Sequence, residues 1–283
     1  MPSALITGAS TGIGESTTLR LARAGWTVFA GVRSEEAGAR LLLQAGTAGK
    51  VLPLILDVTN AEQIAQAVTR VQQQTGGSPG GRLDALVNNA GVGFGGPLEL
   101  IPIEDLRMQL EVNVLGQIAV TQAMLPALRH ARGRIVFMSS VGGRVAMAFT
   151  APYAASKHAI EAVADALRVE LRSSGVQVAL VEPGSVATPI WEKSRTQGEL
   201  LSVPPELQEQ YGNVPAAMDK VLQDTAKRGI PPEQVAETIE QALSARRMKA
   251  RYLIGRDARG MLIAKRLLPD HLFDRLARRA LGV

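Results

Sequence analysis

Short apolar runs alternate with longer stretches of helical periodicity along most of the chain. Leu5-Ile6 opens the first run. A helical pattern with Leu19, Leu21 and Ala22 on its apolar side follows, and it stops at Gly25. Further runs fall at Trp26–Ala30, Val51–Leu56, Leu83–Val87, Arg134–Met138 and Val176–Val181. Between them, helices are expected over Ala61–Gln74, Glu104–Leu128 and Tyr153–Ser173. Another is expected to start at Ser34 with the acidic pair Glu35-Glu36, and Thr75–Gly81 reads as a loop. The strands are continuous apolar runs rather than alternating ones, as expected when both faces of a sheet are covered. Strands separated by helices imply right-handed crossovers. The expected fold is therefore α/β: a single-domain, doubly wound parallel sheet of Rossmann type, with helices on both faces.

The rhythm breaks at 189–230, a stretch rich in Pro, Gln and Glu. It carries Ile190, Trp191, Leu200, Leu201, Val203, Leu207, Tyr211, Val214, Met218 and Leu222. A lid bearing these residues could close on a bulky apolar substrate. The same residues would serve equally as core or dimer packing. A helix over Glu233–Arg246 and a strand at Arg251–Ile254 follow. The expected organisation is one domain over 1–257, including the lid, and a basic helical tail over 258–283.

With 283 residues and 46% hydrophobic content, the chain can bury a substantial core, filled mainly by aliphatic side chains because aromatics make up 4%. The absence of Cys excludes disulfides, zinc–thiolate sites and cysteine nucleophiles. Three His without local spacing give no expectation of a metal site. The net charge of +5 is uneven: from Arg246 onward 11 Lys/Arg face 3 Asp/Glu, leaving 20 basic and 23 acidic residues elsewhere. A near-neutral body argues against nucleic-acid binding. In the tail, Leu272, Phe273 and Leu276 share helical spacing with Arg275, Arg278 and Arg279. Packing against the body or a second subunit is the favoured reading of that helix; contact with an anionic membrane surface is the other. No segment is long and apolar enough to span a bilayer, and the first residues show no signal-peptide pattern, so the cytoplasm is the expected address.

Two local patterns carry candidate chemistry. Gly8, Gly12 and Gly14 lie at a strand-to-helix turn, where glycine lets the backbone approach a ligand and a helix start favours a pyrophosphate. Tyr153 and Lys157 stand four apart on an expected helix and so share a face. An adjacent ammonium lowers a phenol's pKa and makes it usable as an acid or base.

The chain resembles the short-chain dehydrogenase/reductase family. The resemblance rests on Thr7–Gly14, Asp57-Val58, Asn88-Asn89-Ala90-Gly91, Asn113, Ser139-Ser140, Tyr153 to Lys157, and Pro183-Gly184 with Thr188, in family order. Ser140 lies 13 residues before Tyr153 and Asn113 lies 40 before it, matching the family spacing. The resemblance covers residues 4 to about 190 and fits the rest loosely.

It implies hydride exchange between a nicotinamide cofactor and a carbonyl or alcohol. Tyr153 would be the general acid in reduction and the base in oxidation. Lys157 would lower the Tyr153 pKa and bind the nicotinamide ribose, Ser140 would donate to the substrate oxygen, and Asn113 would hold a water in a proton relay. Gly8, Ser10, Thr11, Gly12, Ile13 and Gly14 would surround the pyrophosphate and adenosine ribose. Asp57 and Val58 would meet the adenine, and Asn89, Ala90 and Gly91 the adenosine side. Pro183, Gly184, Val186 and Thr188 would meet the nicotinamide.

Gly31 stands where NAD-preferring relatives commonly carry Asp, and Arg33 follows. A guanidinium suits a 2′-phosphate, so NADP(H) is favoured and NAD(H) remains possible, with Glu35 and Glu36 weakening the local field. The lid, together with Val141, Val145, Met147, Ala148 and Phe149, resembles the branch acting on steroids, retinoids and other lipophilic alcohols. The alternatives are a 3-oxoacyl-thioester reductase of the same family and a non-catalytic cofactor-binding regulator. A homodimer or homotetramer is expected from the resemblance.

Overall fold

Seven strands form one parallel sheet in the order β3-β2-β1-β4-β5-β6-β7. They are β1 (Ser3–Ile6), β2 (Thr27–Val32), β3 (Lys50–Ile55), β4 (Ala85–Asn88), β5 (Arg134–Met138), β6 (Gln177–Pro183) and β7 (Arg251–Ile254). The computed structural model describes residues 1–47, 49–76, 81–188, 190 and 203–281.

Successive side chains of a strand enter opposite faces. In β1, Leu5 joins Phe29, Leu86, Ile135 and Phe137 in one core, while Ile6 joins Val28, Val87, Val136 and Val181 in the other. The first core is covered by α3 (Ala61–Thr75), α5 (Gln117–Ala131) and α6 (Ala151–Glu170), through Val71, Met124, Leu128 and Ile160. The second is covered by α1 (Gly12–Arg23) and α2 (Glu35–Ala45), through Leu21 and Leu41. Each such side chain contributes about 1.5–3 kcal/mol of burial free energy. This two-sided cover is why the strands read as continuous apolar runs.

Helix starts follow local chemistry. Ser34 Oγ accepts from the Ala37 N–H at 3.3 Å, and Asn60 Oδ1 accepts from Glu62 and Gln63 N–H at 3.0 and 3.1 Å. Trp26, expected in a strand, lies outside β2 because its N–H donates to Leu21 O at 3.0 Å and closes the turn after α1. β2 instead runs on to Val32, where Gly31 and Val32 pair with Leu54 and Ile55.

The helix expected over Glu104–Leu128 is broken in register. α4 (Ile103–Leu110) passes through a π-helical turn, Glu111–Gly116, into α5. At Gly116 an added Cβ would stand 2.7 Å from Val58 Cγ2, so the turn brings the backbone hard against the end of β3.

In the 189–230 stretch the described residues form α7 (Gln208–Tyr211) and α8 (Val214–Arg228). Trp191, Leu200 and Leu201 lie outside the described residues, as do 77–80 of the expected loop. α9 (Pro232–Ser244) packs against α1 and precedes β7. The tail forms two helices, α10 (Arg256–Leu267) and α11 (Asp270–Leu281). Ala258 of α10 is fully buried, and Phe273 of α11 is 5% exposed beneath Lys265, whose Nζ lies 5.0 Å from the ring centroid. Leu272 and Leu276 stay exposed. Among the described residues no helix is long and apolar enough to cross a membrane.

Candidate active site

A cleft of about 410 Å³ opens at the carboxyl ends of the strands, where β1 and β4 part and the sheet reverses its winding. Its floor begins with Gly8, Ser10, Thr11, Gly12 and Ile13. Gly8 and Gly12 have φ of +65° and +57°, a region costly for other residues. No side chain caps α1, so the first N–H groups of that helix face the cleft.

This loop is stapled to the end of β4. Asn89 Nδ2 donates to Thr7 O and Gly8 O at 2.9 and 3.1 Å, and the Asn89 and Ala90 N–H groups both donate to Thr7 Oγ1 at 2.9 Å. A Cβ at Gly14 would fall 2.2 Å from Gly8 O and 2.5 Å from Asn89 Nδ2. Gly14 therefore does not line the cleft; it permits the packing that shapes it. Asn89 does line the cleft, but its amide is occupied in holding the loop. Sequence reasoning gave neither this staple nor Arg40, whose Nη2 donates to Ser10 O at 2.8 Å.

At the ends of β2 and β3 the cleft is lined by Gly31, Val32, Arg33, Asp57 and Val58. A Cβ on Gly31 would stand 3.0 Å from Leu56 Cδ2, so that wall is close-packed. Arg33 is exposed and has no ion-pair or hydrogen-bond partner among the described residues. Asp57 Oδ1 accepts from the Thr59 N–H and hydroxyl at 2.9 and 2.7 Å, which fixes the carboxylate at the rim.

Ser140, Tyr153 and Lys157 meet at the middle of the cleft. Ser140 lies two residues past β5 and caps the following turn, its Oγ accepting from Gly142 N–H at 3.1 Å and donating to Pro183 O at 3.5 Å. Gly142 leaves room beside it: a Cβ there would contact the Tyr153 ring at 3.4 Å and Ser140 Oγ at 3.5 Å. α6 presents Tyr153 and Lys157 one turn apart, with Lys157 Nζ 5.6 Å from the Tyr153 ring centroid. Lys157 Nζ donates to Met138 O at 2.8 Å.

Burial disfavours charge on both groups. It holds the Tyr153 phenol above its ordinary value, against a smaller opposing effect of the Ser140 hydrogen bond. It lowers the Lys157 ammonium to about 8, opposed by the Glu161 carboxylate. Of the effects on Tyr153 burial is the larger, and Lys157 is not among them. Behind Lys157, Arg251 Nε lies 3.0 Å from both Glu161 Oε2 and Glu182 Oε1.

Asn113 is not at the cleft surface. It sits in the π-helical turn, fully buried, its Oδ1 accepting from Val92 N–H at 2.9 Å. Its Nδ2 donates to Val92 O at 2.9 Å and to Ser156 Oγ at 3.1 Å. The side chain ties the β4 loop to α6. Gly91, which lines the cleft, packs on Asn113 Oδ1.

On the far side lie Pro183, Gly184, Val186 and Thr188. Gly184 N–H donates to Ile254 O, Ala187 N–H to Ile230 O and Thr188 N–H to Val186 O. The Val186 N–H has no partner among the described residues. The remaining wall is mostly apolar, with Val141, Val145, Met147, Ala148, Phe149, Ile190, Met218, Val221, Leu222 and Met261, and carries Thr150, Thr225 and Asp257 as polar members. Val203, Leu207, Tyr211 and Val214 do not reach the cleft. Tyr211 instead hydrogen-bonds Glu99, tying α7 to the β4 loop, and Val214 is buried.

Residues 2–199 match the family described as short chain dehydrogenase. The chain belongs to that family. It is 34% identical over 281 residues to an NADPH-dependent 3-dehydrocapnine reductase of Ornithobacterium rhinotracheale, covering 98% of this chain and 96% of that protein. It is 36% identical over 282 residues to the 17-beta-hydroxysteroid dehydrogenase type 6 of Bos taurus, covering 97% and 87%. A short chain dehydrogenase/reductase from Burkholderia phymatum, solved in complex with NAD, superposes with a TM-score of 0.79 at 28% identity, covering 97% and 94%. The chain is thus an oxidoreductase of the short-chain dehydrogenase type. Met218, Val221, Leu222, Asp257 and Met261, all lining the cleft, lie beyond the stretch that the family match spans.

Proposed function

We propose that this short-chain dehydrogenase interconverts a lipophilic ketone and its secondary alcohol with NADP(H), and that reduction is the favoured direction. The observation that carries the reading is the position of Ser140, Tyr153 and Lys157 at the junction of two unlike surfaces. One is a glycine-lined, uncapped helix start; the other is a wall of aliphatic, Met and Phe side chains.

The first surface fits a dinucleotide. The free N–H groups of α1 would receive the pyrophosphate, in a cradle that a Cβ at Gly8 would close against Ala90 Cα at 2.9 Å. Asp57 and Val58 would flank the adenine, and Arg33 would meet a 2′-phosphate. The Val186 N–H and Thr188 would face the carboxamide end. NAD(H) fits the same cradle without using Arg33. When bound, the nicotinamide supplies or accepts the hydride.

The chain's own groups handle the proton. Ser140 and the Tyr153 hydroxyl would both donate to the substrate oxygen, stabilising charge that develops there. Tyr153, held protonated by burial, would pass its proton to that oxygen. The charged Lys157 would stabilise the phenolate left behind. This arrangement supports reduction.

The apolar wall supports a lipophilic substrate; of the two named relatives, one is a hydroxysteroid dehydrogenase and the other an NADPH-dependent reductase by their names. The homodimer or homotetramer expected from the resemblance belongs to the same proposal. The test is NADPH consumption with lipophilic ketones against a short 3-oxoacyl thioester. A higher kcat/KM for the lipophilic ketones is expected. Preference for the thioester would favour that alternative, and turnover of neither would favour a non-catalytic regulator.

A further inference from the structure

Among the described residues, four charged side chains line the cleft: Arg33, Asp57, Lys157 and Asp257. The first three belong to the reading above. Asp257 comes from the first turn of α10, 72 residues beyond the loop it touches.

Its Oδ2 accepts from the Ser185 N–H at 2.8 Å. Two glycines make room for the carboxylate. A Cβ at Gly184 or at Gly255 would each stand 2.3 Å from Asp257 Oδ1. Gly255 also takes a φ of +107°, which turns the chain from β7 into α10. The carboxylate's charge is balanced by the start of its own helix, where anions are favoured.

The loop it touches is pinned at each side by other means. Gly184 N–H is held by Ile254 O and Ala187 N–H by Ile230 O, at 2.9 and 3.1 Å. Between them, the Ser185 N–H is held by Asp257. The next N–H along, that of Val186, faces no protein acceptor among the described residues. The segment therefore has one donor locked by a charge-assisted bond and the adjacent donor left for a ligand. Met261, one turn along α10, lines the same cleft, so a single helix sets both the loop and part of the wall.

We propose that Asp257 is a positioning residue for the nicotinamide end of the cofactor: its carboxylate holds the Pro183–Thr188 loop so that the Val186 N–H and Thr188 point into the cleft. The proposal rests on the reading of the cleft as a dinucleotide site. Without the carboxylate, Ser185 loses its anchor and the Val186 donor drifts with it. The adenosine half of the site, at the ends of β1, β2 and β3, is untouched.

The test separates the two halves of the ligand. NADPH and NADH, and their adenosine halves 2′,5′-ADP and 5′-AMP, are titrated into wild type, Asp257→Ala and Asp257→Asn, with thermal midpoints recorded alongside. Asp257→Ala is expected to weaken the full dinucleotide about tenfold, the scale of one charge-assisted hydrogen bond, while the adenosine halves bind as to wild type. Asp257→Asn keeps an acceptor oxygen of the same shape and is expected to restore most of the loss. Unchanged dinucleotide affinity in Asp257→Ala would overturn the proposal. So would equal weakening of dinucleotide and adenosine half, which marks a loosened structure rather than a misplaced loop. A wild-type chain that binds none of the four ligands would overturn the dinucleotide reading itself, and the proposal with it.

Discussion

At the ends of β1, β2 and β4 the cleft is shaped by hydrogen bonds among the loops of adjacent strands. On the side of β6 and β7 it is shaped by helices that return from residues beyond 203. In the first region, Thr7, Gly8 and Asn89 lock two neighbouring loops through backbone groups and one amide. In the second, Ile230 and Asp257 reach back to Ser185 and Ala187, and Met218, Val221, Leu222 and Met261 add an apolar wall. The first region is held by fixed backbone geometry. The second is built with side chains from elements beyond residue 199, outside the stretch that the family match spans. On the proposed reading the former holds the adenosine half of the cofactor, and the latter positions its nicotinamide end and lines the substrate side.

The largest expected effect breaks the chemistry without touching either wall. Tyr153→Phe should lower turnover by about 10³, within the range of general acid–base contributions, and leave NADPH affinity unchanged. Kinetics and titration on the same preparation check both halves of that statement. Next, Arg33→Ala should weaken NADPH by roughly 10- to 100-fold, the loss of a charge-assisted phosphate contact, and leave NADH within about twofold. Equal losses would show that Arg33 acts on the fold of the first region and not on the 2′-phosphate.

On the other wall, Leu222→Ala should raise KM for a long apolar ketone by about tenfold through lost burial, with cofactor affinity unchanged. A fall in cofactor affinity instead would show that α8, and not only Asp257, serves the cofactor from that side.

The smallest effect concerns pH. Reduction needs Tyr153 protonated and Lys157 charged. Because burial lowers Lys157 to about 8, kcat/KM should be flat below that pH and fall as pH rises through it. The Glu161 carboxylate raises the Lys157 pKa, so Glu161→Gln should move the falling limb to lower pH. An unmoved limb in a pH–rate profile would remove Glu161 from the account.

The same contrast governs how much was legible in the sequence. The parallel sheet followed from the alternation of apolar runs and helices, the pairing of Tyr153 with Lys157 from their spacing, and Ser140 from the family resemblance. These features are local, or repeat at fixed intervals. The break in the Glu104–Leu128 helix was not legible, because nothing in its periodicity marks a π-helical turn pressed on Val58. Nor was the inward place of Asn113, whose side chain answers to Val92 and Ser156 in other elements. The amide of Asn89 could be placed beside the cofactor but not in its staple, which joins residues about 80 apart. Asp257 carries no motif at all; its contact with Ser185 exists only because β7 lies beside β6. The 189–230 stretch stood out by composition, yet which of its described residues face the cleft depends on how α8 lies across it.

The central claim is that this short-chain dehydrogenase holds NADPH in the β1–β4 cradle with Arg33 on its 2′-phosphate. The most direct test is a paired titration of wild-type protein with NADPH and NADH. At least about tenfold tighter NADPH binding is predicted, the scale of one such contact. Equal or tighter NADH binding would contradict the Arg33 assignment, and binding of neither would contradict the dinucleotide site as a whole.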